Sequence, residues 1–437
     1  MSSKHYLQQV TSYMRSKEAR GYVKEELQQH LMHSKQAWMN KGWPPKEAEE
    51  KAIAEMGSAS QLGKSMDRIH RPKWDYWLIG AVLLLVAVSF ISILTVDFSQ
   101  QYGPGMSRYF IEHKFVHMLL GITAIAVLMF FDYRKLQRYS TLIYGIALIL
   151  LVGICVMPNA AMNGEAMFKI GPLRIQGWTL LPLFVVASAA FFTERKWKGW
   201  QLTGLLLLPC FFFMMLPNLV VMLLYLGAVA VMFSMSDFNQ NVKRNVFLAS
   251  GGIGAVLLTF AVYAYHNLLE SYQTERISAF IHPELYSDSA GYMMLQLSNA
   301  LSAAGWFGSK TSNYIPEAHT DYALVQFIQS YGYAAGIAVI LVILAITLRM
   351  LWIAKTMQYS FGKLLILAAA ALYSCQSLYS IFMVFGFLPL TGVPLPFMSY
   401  GLMPMLLNAL LIGLVLSVYR RKTYSGKSVL SAAHKAS

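Results

Sequence analysis

From Trp77 to Val418 long apolar runs alternate with short polar ones, and ten of those runs are long enough to span or nearly span a bilayer. They cover approximately residues 77–96, 115–131, 142–157, 178–193, 201–216, 219–235, 246–265, 322–348, 364–388 and 397–418. Segments four to six are short and the fifth contains Pro209, so tilted or broken helices are expected there. Residues 1–74 follow a different pattern, rich in Lys, Glu and Gln, with Tyr6, Val10, Tyr13 and Met14 at helical spacing. A second helix is predicted from about Lys17 to Met39, and Gly42, Pro44 and Pro45 then break it. Pro45 suits the first turn of a third helix carrying Ala48, Ala52 and Met56, and Gly57 can close it. The fold class predicted is all-α: a helical cytoplasmic domain over 1–74, a ten-helix polytopic membrane domain over 75–420 and a cytoplasmic tail over 421–437.

Composition agrees, since 56% hydrophobic and 14% aromatic residues exceed what a soluble chain of this length needs for its core. The net charge of +14 could suggest nucleic acid, but Lys and Arg fall in short runs between apolar segments, the distribution that orients membrane proteins. With ten spans, the N-terminal domain, DYRKLQR from Asp132, ERKWKG from Glu194, VKR at Val242, the stretch Arg349 to Lys363 and the tail from Arg420 all fall on one side. Both termini are then cytoplasmic, and the loop from His266 to Asp321 faces outward. No cleavable signal peptide is read at the start, so the first span is expected to act as its own insertion signal. Cys155, Cys210 and Cys375 sit in apolar runs without metal-ligand spacing and read as packing residues. No GxxxxGK, HExxH or GxSxG motif is present, which removes ATP-driven pumping and the common soluble hydrolases.

Candidate chemistry concentrates in YIPEAHTDYALVQ, Tyr314 to Gln326, where an acidic and imidazole cluster meets a resuming apolar segment. Carboxylates at a membrane boundary are expensive and usually functional. Asp321 is the leading catalytic candidate, although Thr320 and Asp321 could equally cap the eighth span. Glu317 and His319 could orient Asp321 or simply hold the loop. Upstream, the stretch from Tyr292 to Ser309 is amphipathic and suited to the interface. Pro389, Gly392, Pro394, Pro396 and Gly401 break helical backbone and suit a cavity wall, beside which Ser399 and Tyr400 could contact substrate.

Three segments, R-I-x-x-F-x-x-P from Arg276, Q-x-x-x-A-x-x-x-x-G-x-x-G from Gln296 and P-E-A-H-T-D from Pro316, followed by FLPLTGVPLPFMSYG from Phe387 to Gly401, resemble the SEDS glycosyltransferases of the RodA, FtsW and SpoVE kind. The resemblance covers the second half of the membrane domain in order and at the right spacing. It implies polymerisation of lipid II, the undecaprenyl-diphosphate-linked disaccharide-pentapeptide, into peptidoglycan strands at the outer face of the bacterial cytoplasmic membrane. Asp321 matches the family's catalytic aspartate, a general base for the acceptor sugar hydroxyl. Arg276 matches a position on the same loop whose guanidinium could bind the diphosphate, and Lys114 matches a basic position more loosely. Gln296, Glu317, His319, Ser399 and Tyr400 complete the substrate-binding set that the resemblance suggests. The segments EL..H, GWPPKEAEEKAIAEMG and HRPK resemble the prefix domain ahead of some bacterial permease-like and regulatory membrane proteins, which implies regulation or docking.

The first half departs from the family pattern. Thr179 and Pro182 stand where RIQGWTLLP would carry an acid and a base, and Asn218 replaces an aspartate. SYGLMP replaces SYGGSS, Asn313 occupies an often acidic position, and Ser380 stands where Asn is common. A divergent glycosyltransferase is the leading reading, with a class B penicillin-binding protein as partner. No cofactor is required by the sequence; a divalent cation, Mg or Mn, is the one candidate, and its requirement stays open because no outer carboxylate cluster resembles a metal cage. Two alternatives stand beside it: a flippase of a lipid-linked precursor, and a catalytically reduced scaffold or regulator of the crosslinking enzyme.

Overall fold

The computed structural model describes residues 2–162, 165–171, 173–194, 197–216, 219–249, 251–252, 259, 275, 278–309 and 314–425. The chain forms two compact units, one of Met1–Asp75, Met357–Tyr359 and Val418–Ser437, the other of Tyr76–Thr356 and Ser360–Ser417.

The first unit contains α1 (Ser3–Ser12), α2 (Lys17–Asn40), α3 (Pro45–Met56) and α4 (Ala59–Ile69). Ser2, Ser16 and Ser58 cap α1, α2 and α4, their side chains accepting the N–H groups of His5, Ala19 and Gln61. Pro45 opens α3, where its missing N–H would have had no partner. Tyr6, Leu7, Val10, Val23, Leu27 and Leu31 form the core, each worth roughly 1.5–3 kcal/mol when fully buried. Glu49 ties α3 to α1 and α2, accepting from Ser3 N–H at 2.8 Å, Ser3 Oγ at 2.7 Å and Lys35 Nζ at 2.7 Å. These bonds, the Lys35 one foremost, hold its carboxyl down at about 2. The sequence pattern did not foresee α4. It docks on α1 through Gly63, where a Cβ would lie 2.4 Å from the Val10 carbonyl oxygen.

The second unit is a bundle of apolar helices: α5 (Tyr76–Ile93), α6 (Met106–Phe130), α7 (Ser140–Val156), α8 (Leu181–Thr193), α9 (Gly199–Met215), α10 (Leu219–Ser234), the short α11 (Tyr292–Ala303), α12 (Ala323–Lys355), α13 (Ser360–Val384) and α14 (Leu402–Arg420). Five of them, α5, α6, α12, α13 and α14, are long and apolar enough to cross a membrane, and α7 to α10 are shorter apolar helices. The span expected over 246–265 lies largely outside the described residues. Leu119, Leu120, Val127 and Phe130 of α6 are exposed, a face suited to hydrocarbon rather than water. By contrast α8 is buried almost all round and packs against α7, α10 and α13. Small residues permit this: Ala187 to Ala190 on α8 and Ala368 to Ala371 on α13 let backbones approach closely.

Of the tilted or broken helices expected over segments four to six, the one that holds Pro209, α9, is unbroken. Proline has no N–H to give the carbonyl four residues back, and the Tyr144 hydroxyl of α7 donates to that Leu205 carbonyl at 2.7 Å instead. The sharp break falls in α12, at Gly332 with φ 88° and ψ 171°. In addition, residues between α7 and α8 form a small antiparallel sheet that was not expected: β1 (Ala160–Met162), β2 (Glu165–Ile170) and β3 (Leu173–Ile175), in that order. Its register pairs Ala160 with Met167 and Phe168 with Ile175, and the Asn159 side chain brackets Lys169 by accepting its N–H at 2.8 Å and donating to its carbonyl at 3.1 Å.

Candidate active site

Three segments meet at one end of the bundle, and the first is the loop Tyr314–Tyr322 that leads into α12. Its turn is set by Glu317, a non-glycine residue at φ 53°. The Glu317 carbonyl accepts the Thr320 N–H at 3.0 Å, and its carboxylate accepts the Thr320 hydroxyl at 2.9 Å. Asp321 follows at once, half-buried, and Tyr322 is the residue that leads into the helix. Burial pushes the Tyr314 hydroxyl pKa above its ordinary value.

The second segment is the non-helical stretch 387–401 ahead of α14. Pro394 and Pro396, with Phe397 at φ 60°, prevent a helix, so α14 begins at Leu402 rather than at 397 as the hydropathy suggested. Its backbone is held by groups from several helices. Lys114, buried in α6, donates from Nζ to the carbonyls of Met398 and Ser399, both at 3.1 Å. The Ser89 hydroxyl of α5 donates to Met398 O at 3.2 Å, and Gln376 Nε2 of α13 donates to Pro394 O at 2.7 Å. The Ser399 hydroxyl accepts the Leu395 N–H at 2.8 Å.

These two segments lock together. The Tyr400 N–H donates to the His319 carbonyl at 2.8 Å, and a Cβ on Gly392 would lie 3.8 Å from Asp321 Oδ2. Gly392 also borders a small cavity of about 30 Å³ whose walls include Trp178, Leu181, Pro182, Val221, Leu372 and Gln376. The candidate carboxylate therefore lies beside the stretch that walls a largely apolar cavity.

The third segment is Phe98–Tyr102, between α5 and α6, which the sequence did not single out. Its start is capped by Asp97, which accepts both the N–H and the hydroxyl of Ser99 and is thereby held below the usual carboxylate range. The His319 ring sits edge-on among Phe98, Tyr102, Phe110 and Tyr400, with centroids 5.3, 5.8, 5.0 and 5.4 Å away. Burial in this cage lowers its basicity, so the neutral imidazole is favoured. Burial and the neighbouring Glu317 push the Tyr102 hydroxyl up to about 12.

Of the residues singled out from sequence, Asp321, Glu317, His319, Ser399 and Tyr400 are brought together, with Lys114 beneath them. Lys114 is only 1% exposed and its amine is engaged by two carbonyls, a position that shapes the stretch 398–401 from inside the protein. Gln296 lies half-buried on α11 and takes no part in the hydrogen bonds and ring contacts that build this cluster. Lys169 and Arg174 pair across β2 and β3. Arg276, Asn313 and Asn218 lie outside the described residues. The departures at Thr179 and Pro182 are locally accommodated: the Thr179 hydroxyl donates to Gln176 O at 2.7 Å and Pro182 lines the cavity.

A bundle of apolar helices that seats one acidic loop on a Pro- and Gly-rich break defines a polytopic membrane protein of the SEDS type. The chain belongs to the FtsW, RodA and SpoVE family of cell cycle proteins, whose pattern matches residues 75–424. Among curated relatives, the probable peptidoglycan glycosyltransferase FtsW of Bacillus subtilis is 25% identical over 349 residues, covering 75% of this chain and 86% of that protein. The peptidoglycan glycosyltransferase MrdB of Escherichia coli is 24% identical over 368 residues, covering 82% and 97%. Among solved structures, a chain described under "Structural coordination of polymerization and crosslinking by a peptidoglycan synthase complex" superposes with a TM-score of 0.65 at 22% identity, covering 80% of this chain and 98% of that one. The rod shape determining protein RodA of Thermus thermophilus gives 0.57 at 19% identity, covering 80% and 97%. These similarities establish the fold.

Proposed function

We propose that this chain is a peptidoglycan glycosyltransferase that polymerises lipid II, with Asp321 as general base. The observation that carries the reading is the seating of Asp321 against Gly392, on the stretch that walls the largely apolar cavity. There the carboxylate takes the proton from the acceptor sugar hydroxyl, whose oxygen attacks the anomeric carbon of the donor. The bond from that carbon to the diphosphate oxygen breaks, the configuration inverts, and undecaprenyl diphosphate leaves with the electron pair. Arg276 is assigned to the departing diphosphate. Glu317 and His319 orient the Asp321 loop, Ser399 and Tyr400 border the acceptor, and Gln296 is kept as a rim contact.

Among the described residues no three His, Cys, Asp or Glu side chains are grouped to hold a metal ion. If a divalent cation, Mg or Mn, takes part, the substrate diphosphate offers it oxygen ligands of the kind it prefers. The placement of basic runs supports a cytoplasmic location for both termini and an outward-facing site in the bacterial cytoplasmic membrane. The likeness to a chain from a synthase complex supports a class B penicillin-binding protein as the partner that crosslinks the strands. The test is glycan-strand formation from lipid II by the purified protein, alone and with that partner, comparing wild type with Asp321→Ala. Strands from the wild type and none from the variant uphold the reading. Equal polymer from both, or none from either under conditions where the partner complex forms, overturns it.

A further inference from the structure

The loop that carries Asp321 is gripped by a segment more than two hundred residues earlier, and the grip falls on the loop's most strained residue. Glu317 holds φ 53°, a left-handed conformation that a non-glycine residue keeps only when its surroundings fix it. Besides Thr320, the side chain that grips it is Gln101. The Gln101 amide donates from Nε2 to Glu317 Oε1 at 2.9 Å, and its Oε1 accepts the Glu317 N–H at 3.4 Å, so one side chain holds both the carboxylate and the backbone. The Tyr102 hydroxyl reaches the same Oε1 at 3.4 Å, and its ring closes one side of the His319 cage. The other carboxylate oxygen of Glu317 accepts from Thr320, the residue immediately before Asp321. The chain of contacts is thus continuous from the first loop to the candidate base.

We infer that Gln101 and Tyr102 are positioning residues for the glycosyl transfer, acting as a clasp that holds Glu317 in its left-handed turn and so fixes the direction of the Asp321 carboxylate. This rests on the assignment of Asp321 as general base. Neither residue touches that carboxylate, and neither lies in a motif. The polar clasp is solvent-exposed, so its bonds are individually modest. Their leverage comes from geometry, because proton abstraction is sensitive to displacements of the base on the scale of an ångström.

The purified full-length protein is assayed for initial rates of strand formation over a range of lipid II concentrations. Gln101→Glu sets a carboxylate against Glu317. It is expected to lower kcat on the order of tenfold, a loss typical of one disrupted charged contact, with KM little changed. The exchange Gln101→Glu with Glu317→Gln restores an amide–carboxylate pair in reverse, and should recover most of the rate. Tyr102→Phe removes only the longer bond and should cost a few-fold at most. Thermal unfolding of every variant reports whether the fold is intact. A wild-type kcat in Gln101→Glu, a defect confined to KM, a loss of rate that tracks a loss of thermal stability, or no recovery in the exchanged pair overturns the clasp. Asp321→Asn is measured alongside: if it keeps wild-type activity, the base assignment fails, whereas an inactive Asp321→Asn beside an unaffected Gln101→Glu removes the clasp alone.

Discussion

Replacing Gly332 with alanine should do more damage than almost any other single methyl group added to this protein. Gly332 breaks α12 at φ 88° and ψ 171°, a region essentially closed to residues with a Cβ and worth about 1–3 kcal/mol of strain when forced. The space is also occupied. A Cβ there would stand 2.3 Å from Trp306 O, 2.4 Å from Trp306 C and 2.5 Å from Gly308 N, all backbone atoms. The loop 304–309 would have to lift. That sacrifices the bonds from Ser309 N–H to Gln329 O at 2.9 Å, Tyr333 N–H to Gly305 O at 3.1 Å and Ala334 N–H to Trp306 O at 3.2 Å, each worth about 1 kcal/mol. Strain and lost bonds together come to roughly 4–6 kcal/mol, in the range of the most disruptive single substitutions. The assay is thermal unfolding of the detergent-purified protein, followed by loss of the monodisperse peak. Gly80→Ala serves as the control: its Cβ would meet nothing within 4 Å, and helix propensity favours alanine by up to about 1 kcal/mol. If Gly332→Ala melts where Gly80→Ala does, the close embrace of loop and kink is wrong.

Other consequences can be measured with the same preparation. Tyr144→Phe strips the Leu205 carbonyl of its donor and should destabilise by about 1–2 kcal/mol, whereas in a Pro209→Ala background, where the backbone N–H returns, the same change should cost little. Lys114→Met leaves the Ser399 carbonyl without its amine donor while Ser89 still serves Met398; it is expected to loosen the stretch 398–401 and reduce strand synthesis by more than tenfold, about 1.4 kcal/mol or more. The His319 pKa is lowered by burial, so the unfolded chain takes up the proton first. The stability contributed by neutral His319 is complete above about pH 6.5 and is lost as pH falls from there toward the depressed folded value. Unfolding followed against pH should show this slope, and His319→Phe should flatten it.

How far the chain could be read depended on how local each cause is. Helix α3 was legible from Pro45 to Gly57 because its stop signals are its own residues, and α5 because a long apolar run admits few alternatives. The loop around Asp321 and the Phe387–Gly401 block were legible through their motifs. What stayed hidden is held by distant partners. Pro209 looked like a break because nothing in its neighbourhood announces the Tyr144 hydroxyl. A lone Gly332 inside an apolar run gave no sign that residues 305–309 would lie across it. Lys114 read as a cation for substrate, yet burial and two carbonyls make it part of the wall. Gln101 and Tyr102 follow an ordinary aspartate cap and belong to no motif, so only the fold shows that they reach Glu317.

The most direct test of the account follows the leaving group. Vesicles or micelles containing this protein and lipid II, with the class B partner present, would be sampled for undecaprenyl diphosphate by mass spectrometry, for wild type and for Asp321→Asn. A transferase with Asp321 as its base releases undecaprenyl diphosphate in step with strand growth, and Asp321→Asn, folded to the same melting temperature, releases essentially none. Release by the variant at the wild-type rate, or translocation of intact lipid II by the wild type with no release at all, would contradict it.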